Sequence, residues 1–255
     1  MKDERPILEI RNLRRTFGEQ QVLKGVNLKV PRGQITVIIG GSGCGKSVLL
    51  KHIIGLLKPD EGSILLDGKD LVTMEPEPLK EARMRFGMLF QDAALFDSMN
   101  VYENIAFPVR EHRKMKEGDL ANLVKEKLLQ VGLPNTEIKY PSELSGGMRK
   151  RVGLARAIVL NPEIILYDEP TTGLDPIMSH AIDDLIVATQ KALNGTTIII
   201  SHDIRATVRI ANKVAMLHHG AIVAEGTPEE MMRHANPVVR EFLESGITKV
   251  PTSAR

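Results

Sequence analysis

The stretch Gly40-Gly41-Ser42-Gly43-Cys44-Gly45-Lys46-Ser47 decides the fold of this 255-residue chain. It fits the pattern G-x-x-x-x-G-K-[ST], which is typical of a loop that binds phosphate groups. The β-branched apolar run 34–39 comes directly before the loop and predicts a buried parallel strand. The segment 46–55 that follows places its apolar residues on one helical face. A strand, a glycine loop and a helix in this order predict a nucleotide-binding site.

Each residue type in this loop has a physical reason to be there. Glycines allow successive backbone N–H groups to turn inward around an anion, and the N-terminus of the following helix adds partial positive charge. We expect Lys46 to reach the β- and γ-phosphates of a nucleotide and the Ser47 hydroxyl to hold Mg²⁺.

The composition is that of an ordinary soluble globular protein, with 42% hydrophobic and 26% charged residues. Basic and acidic residues number 34 and 32, so the net charge of +2 does not indicate a nucleic-acid partner. The single cysteine, Cys44, excludes an internal disulfide and favours a reducing compartment. Residues 1–6 lack the apolar core of a secretion signal, and no apolar run approaches the roughly 18 residues that cross a bilayer.

The alternation of strand and helix patterns predicts an α/β fold with a mostly parallel sheet and antiparallel strands near the N-terminus. Residues 92–155 are mostly helical in pattern and richer in charge, which indicates a helical lobe inserted into the sheet lobe. We therefore expect one domain over 1–255. Its sheet lobe spans about 1–91 and 156–226, and a helical tail spans about 227–255.

Local patterns predict some details of these parts. Gly18 and Asp67-Gly68 predict turns between strands, and residues 22–30 show the partial alternation of a strand. Thr227 and Glu230 form a capping-box pattern at the start of the tail, and within the tail residues 247–255 show no pattern of regular structure.

Two adjacent acids, Asp168 and Glu169, end the apolar run 164–167. In open α/β sheets, ligands bind at the carboxyl ends of the strands, so these carboxylates are expected at the ligand-binding edge. Asp168 is then expected to hold Mg²⁺ through water, and Glu169 to orient and deprotonate an attacking water. The alternative is that Asp-Glu-Pro only caps the next element.

Polar residues also end two other predicted strands. His202 follows the run 196–201, where its imidazole is placed to donate to a γ-phosphate, and Gln91 follows the run 86–90. We interpret both as members of one ring of strand-end residues that meets water or metal.

Ser145-Gly146-Gly147 precedes a helix-forming segment and predicts a second phosphate site at a serine-capped helix N-terminus. The alternative is an ordinary capped helix. Two chains packed head to tail would each give this second site to the nucleotide of the other chain. Phe17 is expected to be exposed, and it either packs one edge of the sheet or stacks on a nucleotide base.

Taken together, these motifs resemble those of ATP-binding cassette (ABC) ATPase subunits of the P-loop, RecA-like class, over nearly the whole chain. The resemblance implies ATP and Mg²⁺ as ligands, catalytic roles for Lys46, Gln91, Glu169 and His202, and a homodimer. The matching motifs are the adenine-stacking aromatic Phe17, Walker A at 40–47, the Q-loop Gln91, the signature 144–148, Walker B at 164–169, the D-loop 173–175 with Asp175, and the switch histidine His202. Val48 stands where most cassettes have Thr, which leaves only its backbone N–H for the α-phosphate, and Met148 replaces the usual signature Gln.

Residues 89–112 and the signature ending in Met148 resemble the Mla-type (MlaF-like) phospholipid-trafficking and toluene-tolerance ATPases. This closer resemblance implies integral-membrane permease subunits (MlaE-like), with a membrane-anchored MCE-type protein and a small STAS-type protein as further partners. It also implies a place on the cytoplasmic face of the bacterial inner membrane and a role in outer-membrane lipid asymmetry or solvent tolerance. In the family, a groove after Gln91 receives a permease helix. The residues expected either to line that groove or to form lobe core are Leu95, Phe96, Met99 and Val101.

Other functions remain open at this point. The chain is alternatively the ATPase of an ABC transporter for another substrate, or a soluble ABC protein of DNA repair or translation. The coiled coil or second cassette that marks those soluble classes is missing from this sequence. A P-loop GTPase requires Asn-Lys-x-Asp, and the segment 212–215 lacks the acid.

Overall fold

The structure is a computed structural model that describes residues 5–248. The chain divides into two compact units, one formed by residues 1–79 and 198–255 and the other by residues 80–197. The predicted lobe boundaries near 92 and 155 stay a prediction.

The first unit contains an antiparallel sheet near the N-terminus. Its strands are β1 (Leu8–Phe17), β2 (Gln20–Val30), β4 (Glu61–Leu66) and β5 (Lys69–Asp70), in the order β2-β1-β4-β5. The turns at Gly18 and at Asp67-Gly68 lie where the sequence predicts them. Alternate residues of β2, such as Val26, Leu28 and Val30, are buried, as the partial alternation of the sequence predicts.

A second sheet of the first unit surrounds the strand that leads into the glycine loop. It consists of β3 (Ile35–Ile39), β9 (Lys213–His218) and β10 (Ala221–Gly226), together with β8 (Thr196–Ser201), in the order β10-β9-β3-β8. β3 pairs in parallel with β9, and β9 pairs antiparallel with β10. Every residue of β3 is buried, as expected for a strand covered on both faces.

Helix α1 (Lys46–Ile53) follows the loop and is shorter than the predicted segment 46–55. Its residues Leu49, Leu50 and Ile53 are fully buried, which confirms the predicted apolar face. The helix ends because Gly55 adopts a left-handed conformation with φ of 70°, so the last two residues of the predicted segment lie outside it.

Three further helices of the first unit are α7 (Ile204–Ile210), α8 (Pro228–Met232) and α9 (Pro237–Thr248). A capping box between Thr227 and Glu230 starts α8, as predicted. The expectation that 247–255 has no regular structure is wrong for residues 247 and 248, which belong to α9, and 249–255 lie outside the described residues. Helix α9 lies against α7, since a Cβ added to Gly246 would come within 2.3 Å of Ile204 Cγ1.

The second unit combines helices with a parallel strand pair. Helix α2 (Pro76–Met84) crosses into this unit, and strand β6 (Phe86–Leu89) pairs in parallel with β7 (Ile164–Asp168). Its other helices are α3 (Val101–His112), α4 (Glu117–Gln130), α5 (Gly146–Ile158) and α6 (Pro176–Leu193), with one 3-10 turn at Pro141–Glu143.

The predicted α/β fold class, with antiparallel strands near the N-terminus and parallel pairs in the second sheet, is confirmed. Within residues 5–248, none of the helices combines the length and the apolar character that crossing a bilayer requires.

The loop between β6 and α3 is organised by the side chain of Asn104, which is fully buried. Asn104 Oδ1 accepts a hydrogen bond from Phe96 N at 2.9 Å. Its Nδ2 lies 3.0–3.1 Å from the carbonyl oxygens of Phe96, Met99 and Asn100. One side-chain amide thus satisfies backbone groups of a loop that is neither helix nor strand.

Replacing Asn104 with Leu, which branches at the same atom but forms no hydrogen bonds, should lower the free energy of unfolding by about 2 kcal/mol or more. The reason is that the buried backbone groups around it lose their hydrogen-bond partners. The melting temperature, followed by circular dichroism, should fall by about 4 °C or more. Asn122→Leu, at an exposed position of α4, is the matched control and should shift the melting temperature by less than about 2 °C. Equal melting temperatures for N104L and the wild type would contradict this role of Asn104.

Candidate functional site

The glycine loop lies between β3 and α1, as predicted, and its first glycine is required by close packing. A Cβ on Gly40 would lie 2.2 Å from the carbonyl oxygen of Leu217 and 2.8 Å from Cys44 Sγ. At Gly41 and Gly43, by contrast, an added Cβ would meet no atom within 4 Å. The loop is therefore tightly packed at its base and open around its middle.

The positive charge of Lys46 is held inside this loop. The residue is only 7% exposed, and its Nζ donates hydrogen bonds to the carbonyl oxygens of Gly40 at 2.9 Å and Gly41 at 3.0 Å. Within the described residues, no side chain caps the N-terminus of α1, where Gly45 has a φ of 106°. A buried ammonium group beside an uncapped helix N-terminus is suited to bind an anion.

Three further residues of the loop and of the first turn of α1 are predicted to bind the nucleotide. Ser47 is exposed and Val48 is half-buried, in the first turn of α1. Burial raises the pKa of the Cys44 thiol, and the nearby charge of Lys46 opposes that increase only in part. The Cys44 thiol is therefore uncharged at physiological pH where it lines the loop.

His202 lies directly after β8, which is the neighbour of β3 in the sheet. The residues on both sides of it are fixed. Ser201 Oγ accepts a hydrogen bond from Asp203 N at 2.9 Å, and Asp203 caps α7 by accepting one from Ala206 N at 3.0 Å. His202 itself is exposed. The first unit thus places the phosphate-binding loop and His202 after two neighbouring strands, of which the sequence predicts the strands but not that they are neighbours.

In the second unit, the parallel pairing of β6 with β7 brings Gln91 to the same edge as the two acids. Leu89 is paired with Tyr167, so Gln91 and Asp168 follow at the carboxyl ends of adjacent strands. Glu169 has a φ of 46°, in the left-handed region, and its Oε2 accepts a hydrogen bond from Thr172 Oγ1 at 2.9 Å. Such backbone strain in a residue that is not glycine is concentrated at functional sites.

The signature segment forms the N-terminus of α5, and Ser145 caps it by accepting a hydrogen bond from Met148 N at 3.3 Å. Gly147 is buried against α6, because a Cβ there would lie 2.4 Å from Met178 Cε. Gly146 is half-buried, so of the two predicted glycines it is the one whose backbone is more open to a ligand. Asp175 caps α6 through Ile177 N and Met178 N, each at 3.0 Å.

Three residues on one face of α5 contact the segment after β6, and they were not predicted from the sequence. Lys150 Nζ donates a hydrogen bond to the carbonyl oxygen of Gln91. Three residues further, a Cβ on Gly153 would lie 3.0 Å from Ala93 Cβ. Arg156 then donates to the carbonyl oxygens of Ala93 at 2.7 Å and Ala94 at 2.8 Å. We call Lys150, Gly153 and Arg156 the α5 stripe.

The segment held by the α5 stripe is strained and charged. Ala93 and Ala94 have φ values of 60° and 47°, which are unfavourable for residues with a Cβ. Burial lowers the pKa of Lys150, while the carboxylates of Asp92, Asp168 and Glu169 act in the opposite direction. The hydrogen bond of Lys150 links the signature helix to Gln91, and its charge is attracted by both strand-end acids.

The sequence contained a signal for this stripe. Two basic residues flank a glycine at a spacing of three within a helix, and that spacing puts all three on one face. The burial of a lysine, which is 6% exposed here, has no comparable signal in a single sequence.

Of the four apolar residues expected either in a groove or in the lobe core, Val101 is fully buried core. Phe96 is 43% exposed, and its ring packs against that of Phe107 with a centroid distance of 5.0 Å. Leu95 and Met99 are half-buried. The exposed apolar surface at this place is thus centred on Phe96.

Comparison with known proteins agrees with this arrangement of motifs. Residues 23–172 match the model of the ABC transporter family. The chain is 46% identical over 236 residues to the probable ribonucleotide transport ATP-binding protein mkl of Mycobacterium leprae, covering 92% of this chain and 68% of that protein. It is 42% identical over 238 residues to the intermembrane phospholipid transport system ATP-binding protein MlaF of Haemophilus influenzae, covering 93% of this chain and 90% of that protein.

A solved structure gives the same result at the level of the fold. The ATP-binding cassette MJ0796, in a dimeric post-hydrolysis state bound to ADP and Pi, superimposes with a TM-score of 0.79 at 29% identity. The match covers 87% of this chain and 98% of the cassette. With the P-loop, strand-end acids and capped signature helix in place, the chain belongs to the ABC transporter family, as the ATP-binding and ATP-hydrolysing subunit of a transporter.

Proposed function

We propose that this protein powers the transport of phospholipids by a membrane complex, as a dimer on the cytoplasmic face of the bacterial inner membrane. The observation that carries this proposal is the 42% identity to MlaF over 90% of the length of that protein. The segment 89–112, which contains the Q-loop and α3, supports it through its resemblance to Mla-type ATPases. Maintenance of outer-membrane lipid asymmetry, or solvent tolerance, is the physiological role that we infer.

The proposed dimer places two ATP molecules between two chains. Each chain has one phosphate-binding loop and one serine-capped helix N-terminus at Gly146, and the second feature is offered to the nucleotide of the partner. The dimeric state of the MJ0796 cassette bound to ADP and Pi supports this arrangement.

Within each site, the residues of this chain bind and orient more than they react. Lys46 exchanges the carbonyl oxygens of its own loop for phosphate oxygens, and the uncapped N-terminus of α1 adds N–H donors. Glu169 orients the attacking water and takes its proton, and His202 donates to the γ-phosphate. Phe17 stacks on the base.

The oxygen donors of Ser47, Gln91 and Asp168 suit Mg²⁺, which prefers hydroxyl, amide and carboxylate ligands together with water. Ser47 is exposed, and Asp168 is half-buried at the end of β7. We propose that these residues hold the ion, with Asp168 acting through water. When bound, Mg²⁺ neutralises phosphate charge.

The partner of this subunit in the proposed complex is an MlaE-like permease that contacts the surface around Phe96. Support for this contact comes from the exposure of that ring and from its place just after the Q-loop. An MCE-type and a STAS-type protein complete the complex that we propose.

Ribonucleotide transport is a second candidate, because the mycobacterial mkl protein, 46% identical to this chain, carries that name. The two candidates differ in the cargo of the complex and share the ATPase mechanism.

The native complex, purified from membranes with this chain as bait, should contain a permease with bound phospholipid, identified by mass spectrometry. Phospholipids should also stimulate its ATP hydrolysis, whereas ribonucleotides other than the fuel should not. A complex that binds no lipid and responds to ribonucleotides would overturn the phospholipid proposal in favour of the second candidate.

Replacing Glu169 with Gln should reduce the hydrolysis rate by about 100-fold or more, because the amide cannot accept the proton of the attacking water. ATP binding should be retained, and the variant should accumulate as an ATP-bound dimer in size-exclusion chromatography.

Two controls accompany this variant. Glu163→Gln changes the acid just before β7, which pairs with Arg85 at 2.7 Å, and should keep hydrolysis near the wild-type rate. Lys46→Ala should weaken ATP binding itself. Hydrolysis by E169Q at the wild-type rate would exclude Glu169 as the general base.

Replacing Lys150 with Met should lower kcat by about tenfold to 100-fold with little change in the affinity for ATP. The physical reason is that the Q-loop loses the hydrogen bond that holds the Gln91 carbonyl, and Gln91 no longer keeps its position. Steady-state kinetics separate the effects on kcat and KM, and Lys150→Arg should recover part of the rate.

Lys127→Met is the matched control. Lys127 is another buried lysine of the second unit, 2% exposed, and its Nζ bonds Asn161 Oδ1 at 2.9 Å. The K127M variant should have a lower free energy of unfolding, whereas the kcat of the folded protein should stay within about twofold of the wild type. Equal losses of kcat in K150M and K127M would show that Lys150 contributes to the stability of the protein and has no specific role in positioning Gln91.

A further inference from the structure

The aromatic ring of Phe17 is supported by a cation. Phe17 is the last residue of β1 and is 41% exposed. The guanidinium carbon of Arg15, two residues earlier on the same strand, lies 4.7 Å from the centroid of the Phe17 ring. This distance is within the range of a cation–π contact. One face of the ring is therefore covered by a charged planar group.

Arg15 is itself fixed by the loop before β4. Its Nη1 donates hydrogen bonds to Asp60 Oδ1 at 2.7 Å and to the carbonyl oxygen of Lys58 at 3.2 Å. The other carboxylate oxygen of Asp60 accepts a hydrogen bond from Thr16 N at 2.7 Å. One carboxylate thus holds both the guanidinium and the backbone between Arg15 and Phe17.

We propose that Arg15 is a positioning residue for nucleotide binding, which holds the Phe17 ring as a stacking platform whose other face takes the base. This inference rests on the proposed contact between Phe17 and the base. Arg15 acts through Phe17, and Asp60 acts through Arg15.

The physical basis is preorganisation. An exposed phenylalanine loses rotamer freedom when it stacks on a base, and a ring already held in place loses less. A stack of guanidinium, ring and base also keeps the cation on the negatively polarised face of the ring. The contribution concerns the base alone, because the phosphates are bound by the loop around Lys46.

A comparison of two ligands tests this distinction. Binding of Mg²⁺-ATP and of Mg²⁺-tripolyphosphate, which has the phosphates without a base, is measured by isothermal titration calorimetry. The variants are Arg15→Met, which keeps an unbranched apolar side chain and removes the guanidinium, and Arg14→Met as the matched control. Arg14 is the preceding residue, and its Nε pairs with Glu61 at 3.4 Å instead of with a ring.

R15M should weaken ATP binding by about two- to fivefold, the range for a single cation–π contact at an exposed site, and leave tripolyphosphate binding unchanged. R14M should change neither affinity. Asp60→Asn should weaken ATP binding less than R15M does, because the guanidinium of Arg15 stays in the protein but loses its ionic partner.

Phe17→Ala separates this inference from the proposed base contact. F17A alone should weaken ATP binding by about fivefold or more, since it removes the stacking partner of the base. In the F17A background, R15M should have no further effect, which a general loss of stability would not produce. ATP affinity that is unchanged in F17A would overturn the base contact itself. A loss in F17A with none in R15M, or equal losses of ATP and tripolyphosphate binding in R15M, would overturn the role of Arg15.

Discussion

A buried ammonium group requires a hydrogen-bond partner, and in the second unit this requirement ties the signature helix to the Q-loop. Lys150 of α5 meets it with the carbonyl oxygen of Gln91. The close approach at Gly153 and the two hydrogen bonds of Arg156 keep the same segment in a conformation that its alanines would not adopt alone. The helix whose N-terminus is proposed for one phosphate site therefore sets the position of Gln91, which is proposed for the other.

In the proposed site, the first unit separates the recognition of phosphate from the recognition of the base. Phosphate recognition depends on the backbone of the glycine loop and on Lys46, which follow a buried parallel strand. The aromatic group for the base lies on the antiparallel sheet, at the end of β1, and is held by Arg15 and Asp60. Base affinity can therefore change without altering the geometry that serves hydrolysis.

The parts of the molecule with strong local patterns could be predicted from the sequence. Strand β3, the capping box at Thr227 and the exposure of Phe17 follow from β-branched runs, capping residues and polarity, which act over a few residues. The end of α1 and the reach of α9 to Thr248 were missed, because helix boundaries depend on tertiary packing and on single left-handed residues. The spacing of the α5 stripe is visible in the sequence, but its contacts were missed, since a hydrogen bond between residues 59 positions apart has no local signal.

The contact between Gly246 and Ile204 has a consequence for how this protein is handled in the laboratory. Ile204 is the first residue of α7, whose cap, Asp203, is adjacent to the histidine of the proposed site. A deletion that removes α9 would take away the helix against which Ile204 packs, next to the loop that carries His202. A loss of ATPase activity on truncation of α9 would therefore reflect this packing as much as any lost partner.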